Sequence, residues 1–197
     1  MRVLEIGCGS GELALALAER GYDVVAVDPD APEGPIFRRL RLEDLDDPGP
    51  FDAAFAGRSL HHLHELAGAL DHVARLLTAE GILVVDEFAW DRFDERTADW
   101  YHGQLRALAA AGGHPAPRSL TDVITGWREE HRDLHTYESM RAALDERFEE
   151  RAFAWEPYLY RELGTQVAEA LERALIDAGA INAVGFRYVG ARRPDPL

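Results

Sequence analysis

One stretch near the amino terminus constrains the fold more than any other. Val3-Leu4-Glu5-Ile6 runs directly into Gly7-Cys8-Gly9-Ser10-Gly11, and the next apolar run, Val24-Val25-Ala26-Val27, closes on Asp28. Short apolar runs bounded by turn residues suit strands buried on both faces. The glycines allow a tight turn in which backbone N–H groups come close to a ligand. Asp28 stands twenty-one residues beyond Gly7, where a carboxylate at the end of a second strand can accept both hydroxyls of a ribose. Strand, glycine turn, helix and acidic strand end together predict a nucleoside-binding unit.

The glycine spacing narrows the ligand. A dinucleotide fingerprint needs its third glycine three residues after the second, and Glu12 occupies that position. The remaining pattern, Glu5-x-Gly7-x-Gly9-x-Gly11, resembles the first motif of the class I S-adenosylmethionine-dependent methyltransferases, in which the acidic strand end also binds the ribose. The resemblance continues through Phe51-Asp52-Ala53-Ala54-Phe55, Ser59-Leu60-His61-His62-Leu63 and Glu80-Gly81-Ile82-Leu83-Val84-Val85, which are similar to that family's fourth strand, following helix and fifth strand. It implies a Rossmann-like, doubly wound α/β fold. The sheet would have seven mostly parallel strands, the last antiparallel, with S-adenosylmethionine as cofactor.

The 197 residues and 47% hydrophobic content suit one domain over 1–197 with a sizeable core. No apolar run nears the roughly 18 residues of a membrane span, and residues 1–30 read as strand, turn and helix rather than as a signal peptide. A cytoplasmic protein with no membrane partner is expected. The single cysteine, Cys8, permits no intrachain disulfide, and its place in the glycine turn favours a small packed side chain over a nucleophile. Net charge is −15, from 36 acidic residues against 21 basic ones, all arginine. Such a surface repels phosphate backbones, which argues against a nucleic-acid substrate.

Along the chain, Arg2 to Ile6 is read as the first strand, with Ser10 as N-cap of a helix ended by Gly21. Tyr22 to Asp28 is the second strand. Pro29, Pro32, Gly34 and Pro35 leave room only for a loop before Ile36 to Leu42, where the family places its second helix. Phe51 to Gly57, a helix through about Leu77, and Ile82 to Phe88 follow. Residues 89–147 form a helical, aromatic insertion, broken at Gly112-Gly113, Pro115 and Pro117, with a second helical stretch from Thr136 to Arg147. Phe148 to Trp155, a helix from Tyr158 to Ala178, and Ala183 to Arg192 complete the pattern. Family members usually carry a helical extension ahead of the first strand; the sequence given starts on that strand, so the insertion is expected to serve as lid and acceptor-binding segment.

The resemblance implies backbone contacts from Gly7, Cys8, Gly9 and Gly11 to the methionine half of the cofactor, with Glu5 organising the turn and Asp28, beside Pro29, on the ribose. Glu43 and Asp44 compete for the adenine, and Arg58 and Ser59 lie at the cofactor's edge; a helix N-cap is the plainer role for Ser59. Methyl transfer from a sulfonium is an in-line displacement in which alignment and desolvation can suffice. His61, His62, Asp86 and Glu87 are the candidates for taking a proton, with Glu87 first on the acceptor side. Trp90, Trp100 and Tyr101 are either acceptor contacts or the core of a helical subdomain. His131-x-Asp133-x-His135 puts alternate residues on one side of an extended segment. Substrate positioning by His131 and His135 is the preferred reading there, and no metal site is expected.

The expected activity is methyl transfer from S-adenosylmethionine to an oxygen or nitrogen of a small molecule. A cyclase or other non-methylating reaction on the same cofactor, and a non-catalytic cofactor-binding subunit, remain open alternatives. The insertion's apolar faces could also support a homodimer.

Overall fold

A computed structural model describes the chain except residues 48, 113, 114, 116, 118 and 194–197. The strands are β1 (Arg2–Ile6), β2 (Asp23–Asp28), β3 (Phe37–Arg39), β4 (Phe51–Gly57), β5 (Leu77–Phe88), β6 (Phe148–Glu156) and β7 (Gly185–Arg192). They form one mixed sheet in the order β3-β2-β1-β4-β5-β7-β6, with antiparallel strands at the end that finishes the chain. This is the expected fold class.

Parallel register fixes where the chemistry can gather. Ile6 pairs with Val27 on one side and Ala56 on the other, and Gly57 pairs with Asp86. The glycine turn, Asp28, Arg58 and Glu87 therefore all leave the sheet at its carboxyl edge, the usual ligand edge of an open α/β sheet. The central strands are buried on both faces: Leu4, Ala26, Ala54, Leu83 and Val85 have no measurable exposure. Each leucine or valine among them contributes about 1.5–3 kcal/mol by leaving water, and each alanine less than that.

The chain divides into two compact units. The first comprises Met1–Glu87, Glu138–Ala154 and the segment from Arg187 onward. It holds β1 to β4 with helices α1 (Glu12–Glu19) and α2 (Leu66–Leu76). Residues Leu66, Ala69, Leu70, Val73 and Leu76 give α2 a continuous buried stripe. The second unit comprises Phe88–Tyr137 and Trp155–Phe186. It is helical, with α3 (Glu95–Ala110), α4 (Leu120–His131), α6 (Leu159–Glu162) and α7 (Val167–Asp177); α5 (Tyr137–Arg147) begins at its edge. Its core is aromatic, built on Phe88, Phe93, Trp127 and Leu159, with Trp90, Trp100, Tyr101 and Tyr158 packed around them.

Several expectations are corrected. Gly11, not Ser10, holds the N-cap position of α1, with φ 79°. The residue must be glycine, because a Cβ there would lie 2.5 Å from the Phe37 ring. The third strand is shorter than Ile36 to Leu42, since the chain turns into a 3₁₀ turn at Leu42–Asp44. The fifth is longer than Ile82 to Phe88, because Leu77 already pairs with Phe51 ahead of a register shift. A loop does join β2 to β3, as expected.

The helix read from Tyr158 to Ala178 is two helices. Gly164, at φ 64°, stops α6 by donating its N–H to the Arg161 carbonyl. Glu172 of α7, fully buried, accepts the backbone N–H groups of Tyr158, Leu159 and Tyr160 at 2.8, 3.0 and 2.8 Å. Within the insertion, α4 is an additional helix with a Ser119–Asp122 capping box. Of the residues read as breaking the insertion, Gly113 lies outside those described.

Candidate functional site

The glycine turn is held by hydrogen bonds to β2. The N–H groups of Gly7 and Cys8 both donate to the Val27 carbonyl, at 2.8 and 3.2 Å. Gly7 sits at φ 70°, and a Cβ there would meet Ser59 Cβ at 2.4 Å, so the turn after β1 and the chain after β4 are in direct contact. Ser59 holds the N-cap position of the 3₁₀ turn Leu60–His62, but its side chain makes no capping bond; its hydroxyl donates to the Ile6 carbonyl at 3.0 Å. Asp28 braces the turn from the other side. Its Oδ2 accepts the Gly9 N–H at 3.0 Å and its Oδ1 accepts the Asp30 N–H at 2.8 Å. Each oxygen keeps a further lone pair for a hydroxyl donor.

Around these groups lies a cavity of about 490 Å³, lined by Ile6, Gly7, Asp28, Pro29, Leu42, Glu43, Arg58, Ser59 and His62, together with Val27, Leu40, Arg41, Leu63 and His64. That volume is within the range of small-molecule sites. Of the residues expected at a cofactor, Gly7, Asp28, Pro29, Glu43 and Arg58 line it; Glu5, Cys8, Gly9, Gly11 and Asp44 stand outside its wall. Leu40, Arg41, Leu42, Leu63 and His64 were not anticipated. For Leu40, Leu42 and Leu63, apolar side chains beside a polar strand end are the only signal left in the sequence.

Cys8 packs against Ala14, Val24, Ala26, Ala31 and Phe37, and burial, helped by Glu5 and Asp28, pushes its thiol up to about 11. It stays protonated and packed. Glu5 behaves differently. It is 5% exposed, its Oε2 has no hydrogen-bond partner, and burial pushes its carboxyl up to about 7 against the bond from the Ala14 backbone.

Glu87 was expected to face an acceptor and instead points inward, 1% exposed. Its Oε1 accepts the Leu60 N–H at 3.0 Å, and its Oε2 lies 2.5 Å from His61 Nδ1. If the Glu87 side chain is a carboxylate, Nδ1 is the donor in this bond. The His61 ring is itself buried and meets the His62 ring at a centroid distance of 4.1 Å. Of the three, only His62 lines the cavity. Partial burial, reinforced by His61 and opposed by Glu87, holds His62 below the ordinary histidine value.

In the second unit, the Trp127 indole donates to the Trp90 carbonyl at 2.9 Å, and the Trp90 indole donates to the His135 carbonyl at 3.2 Å. His131 ends α4, not an extended segment, because Trp127 accepts its Nδ1–H at 2.7 Å within the helix. Its ring packs on Trp127, at 4.3 Å, and on Phe88. Trp100 and Tyr101 pack against the same aromatic core, and burial pushes the Tyr101 phenol up to about 12. Among the described residues, no three His, Cys, Asp or Glu side chains gather where they could hold a metal ion, and no helix is long and apolar enough to cross a membrane.

The sequence pattern described as a methyltransferase domain matches residues 1–151. An uncharacterised methyltransferase of Mycobacterium bovis is 35% identical over 101 residues, covering 44% of this chain and 50% of that protein. A ubiquinone biosynthesis O-methyltransferase of Xylella fastidiosa is 38% identical over 100 residues, covering 43% and 40%. The chain thus spans about half the length of the curated relatives it matches. Among solved structures, an S-adenosylmethionine-dependent methyltransferase from Mesorhizobium loti superimposes with a TM-score of 0.60 at 19% identity, covering 98% of this chain and 90% of that one. The 1,6-didemethyltoxoflavin-N1-methyltransferase of Burkholderia thailandensis, solved with 1,6-didemethyltoxoflavin and S-adenosylhomocysteine, gives 0.55 at 17% identity, covering 98% and 71%. At these identities the likeness concerns the fold.

Proposed function

The chain belongs to the methyltransferase domain family, and on that footing we propose that it transfers a methyl group from S-adenosylmethionine to an oxygen or nitrogen of a small-molecule acceptor. The observation that carries the reading is the cavity of about 490 Å³ at the carboxyl edge of the sheet, with Asp28 and the Gly7 turn on one flank and His62 on another. Asp28 has lone pairs for the ribose hydroxyls, Glu43 stands on the adenine side, and Glu5 offers a buried carboxylate to the methionine ammonium. Bound there, S-adenosylmethionine supplies an electrophilic methyl group. The chain's own task is to orient the acceptor, exclude water and hold its proton. His62 is the proton-accepting group, since it alone of the three candidates in the Glu87–His61–His62 array reaches the cavity. Glu87 and His61 are positioning residues that fix the turn bearing it.

The test is calorimetric binding of S-adenosylmethionine and S-adenosylhomocysteine, followed by a screen of small phenols, carboxylates and amines for S-adenosylhomocysteine release. Asp28→Ala is expected to weaken cofactor binding by about 1.5–3 kcal/mol, the worth of charge-assisted hydrogen bonds. A folded variant with unchanged affinity would remove the ribose assignment. Glu5 gives a pH dependence with a definite sign. Its carboxyl is pushed up to about 7, so it is ionised above that pH and protonated below it. Affinity for the ammonium-bearing cofactor is expected to rise as pH increases through 7, and the rise should vanish in Glu5→Gln. A flat pH profile in the unmodified protein would place the ammonium elsewhere.

In the second unit, Trp90, Trp100 and Tyr101, with His131 and His135, remain the proposed acceptor-side segment. If they act on the acceptor, Tyr101→Phe lowers turnover with little change in thermal stability. Loss of stability with intact turnover would assign the ring to the aromatic core alone.

A further inference from the structure

The backbone around Arg58 is unusual for this residue type. Its φ is 52°, in the left-handed region, and no other described non-glycine residue has a positive φ. A side chain there is strained relative to glycine, and such conformations persist only where neighbouring structure enforces them. The enforcement comes from three sides. The Arg58 N–H donates to the Asp86 carbonyl at 2.8 Å, Ser59 is tied to Ile6, and the Leu60 N–H is held by buried Glu87. The strain fixes the direction in which one exposed side chain leaves β4.

That side chain borders the cavity. Its guanidinium has no hydrogen bond or ion pair among the described residues. The contrast with other arginines on this acidic chain is clear: Arg2, Arg141, Arg147 and Arg173 each meet carboxylates. The rest of the cavity wall supplies Asp28 and Glu43, which suit hydroxyl and amine donors, and a second arginine, Arg41, with His62 and His64. Arg58 is the one of these whose backbone is held in a single strained direction, and its planar guanidinium fork matches a carboxylate with two parallel hydrogen bonds.

We propose that Arg58 is a carboxylate anchor at the rim of the nucleoside cavity. The inference rests on the cofactor reading above. Two sources present this chemistry: the amino-acid end of the cofactor and a carboxylate on the acceptor. Arg58→Gly is the informative variant, because glycine relieves the backbone strain, keeps the bond to Asp86 and leaves the melting temperature unchanged or slightly raised. Arg41→Ala removes the same charge from the same cavity wall and controls for the general field.

Calorimetry with S-adenosylhomocysteine and with 5′-methylthioadenosine, which lacks the amino-acid carboxylate, separates the outcomes. A loss of about tenfold or more for S-adenosylhomocysteine, with 5′-methylthioadenosine unaffected and a smaller effect in Arg41→Ala, supports the anchor and assigns it to the cofactor. Unchanged binding of both, but lost binding of 4-hydroxybenzoate to the S-adenosylhomocysteine-loaded protein, supports it and assigns it to the acceptor. Equal losses for both nucleosides, equal losses in Arg41→Ala, or no change in either arm overturn it. Failure of the unmodified protein to bind either nucleoside instead defeats the cofactor reading, a result distinct from all of these.

Discussion

Glu87→Ala is expected to remove both methyl transfer and a large part of the stability of the sheet's carboxyl edge. The substitution strips the acceptor from two buried donors, the Leu60 N–H and His61 Nδ1. Each buried donor left without its acceptor costs about 1–3 kcal/mol. In a chain of this size the two together lower the melting temperature by roughly 4–24 °C. The effect on chemistry is separable. If His62 takes the acceptor's proton, losing its placement forfeits on the order of 10²–10⁴ in turnover, the usual worth of general base catalysis.

Glu87→Gln distinguishes placement from mere packing. Its amide oxygen still accepts from Leu60, but the amide nitrogen donates and cannot accept the proton on His61 Nδ1. The ring must adopt the other tautomer, with its proton on Nε2. Most of the stability should survive while turnover falls, with cofactor affinity close to that of the unmodified protein. Thermal unfolding, calorimetry and single-turnover assays with whichever acceptor releases S-adenosylhomocysteine provide the readouts. Wild-type turnover in Glu87→Gln would show that the array does not govern proton removal. His62 adds a second check. Its value is held below the ordinary one, so it is neutral at neutral pH, and turnover should fall only as pH drops below the usual histidine range.

The sequence exposed what depends on neighbouring residues and concealed what depends on long-range approach. Val3 to Gly11 and Val24 to Asp28 announce themselves because a buried parallel strand is a continuous apolar run and its turn needs glycine. Ser10 was the natural cap by residue type, yet Phe37, from a later strand, packs where only glycine fits, and Gly11 takes the position. Helix α4 left a signal that could have been read: Ser119 and Asp122 have capping-box spacing ahead of Val123, Ile124 and Trp127. Glu172 left none, since three backbone donors from another helix cannot be inferred from its own surroundings.

The site divides in the same way. Asp28, Gly7 and Arg58 were legible because they follow strand ends, and parallel register brings strand ends together. Glu87 was legible as a carboxylate at a strand end but not in its direction. Whether a carboxylate at a strand end faces a ligand or a neighbouring loop depends on the alternation of side chains and on what packs beyond. Here Leu60 and His61 are there to receive it.

Gly7→Ala tests the junction on which the whole site rests. The residue lies at φ 70°, where alanine is strained by about 1–2 kcal/mol. Its new Cβ would lie 2.4 Å from Ser59 Cβ, a contact that one of the two segments must relieve by moving. Overpacking of this kind costs about 1–3 kcal/mol more. The movement has a direction, because the Gly7 N–H is pinned to Val27, leaving Ser59 as the part that can yield. Displacing Ser59 loosens its bond to the Ile6 carbonyl and shifts Arg58 and the turn carrying His61 and His62. Cofactor affinity is therefore expected to fall by more than tenfold along with stability. Gly9→Ala supplies the contrast: its φ is 49°, its Cβ meets nothing within 4 Å, and only the backbone strain should register in the melting temperature. Calorimetry and thermal unfolding of the two variants side by side decide the matter. Equal losses would mean that general stiffness of the glycine turn, not the contact between the β1 turn and the β4 turn, maintains the cavity. An unchanged Gly7→Ala protein would mean that the contact is not the keystone its geometry implies.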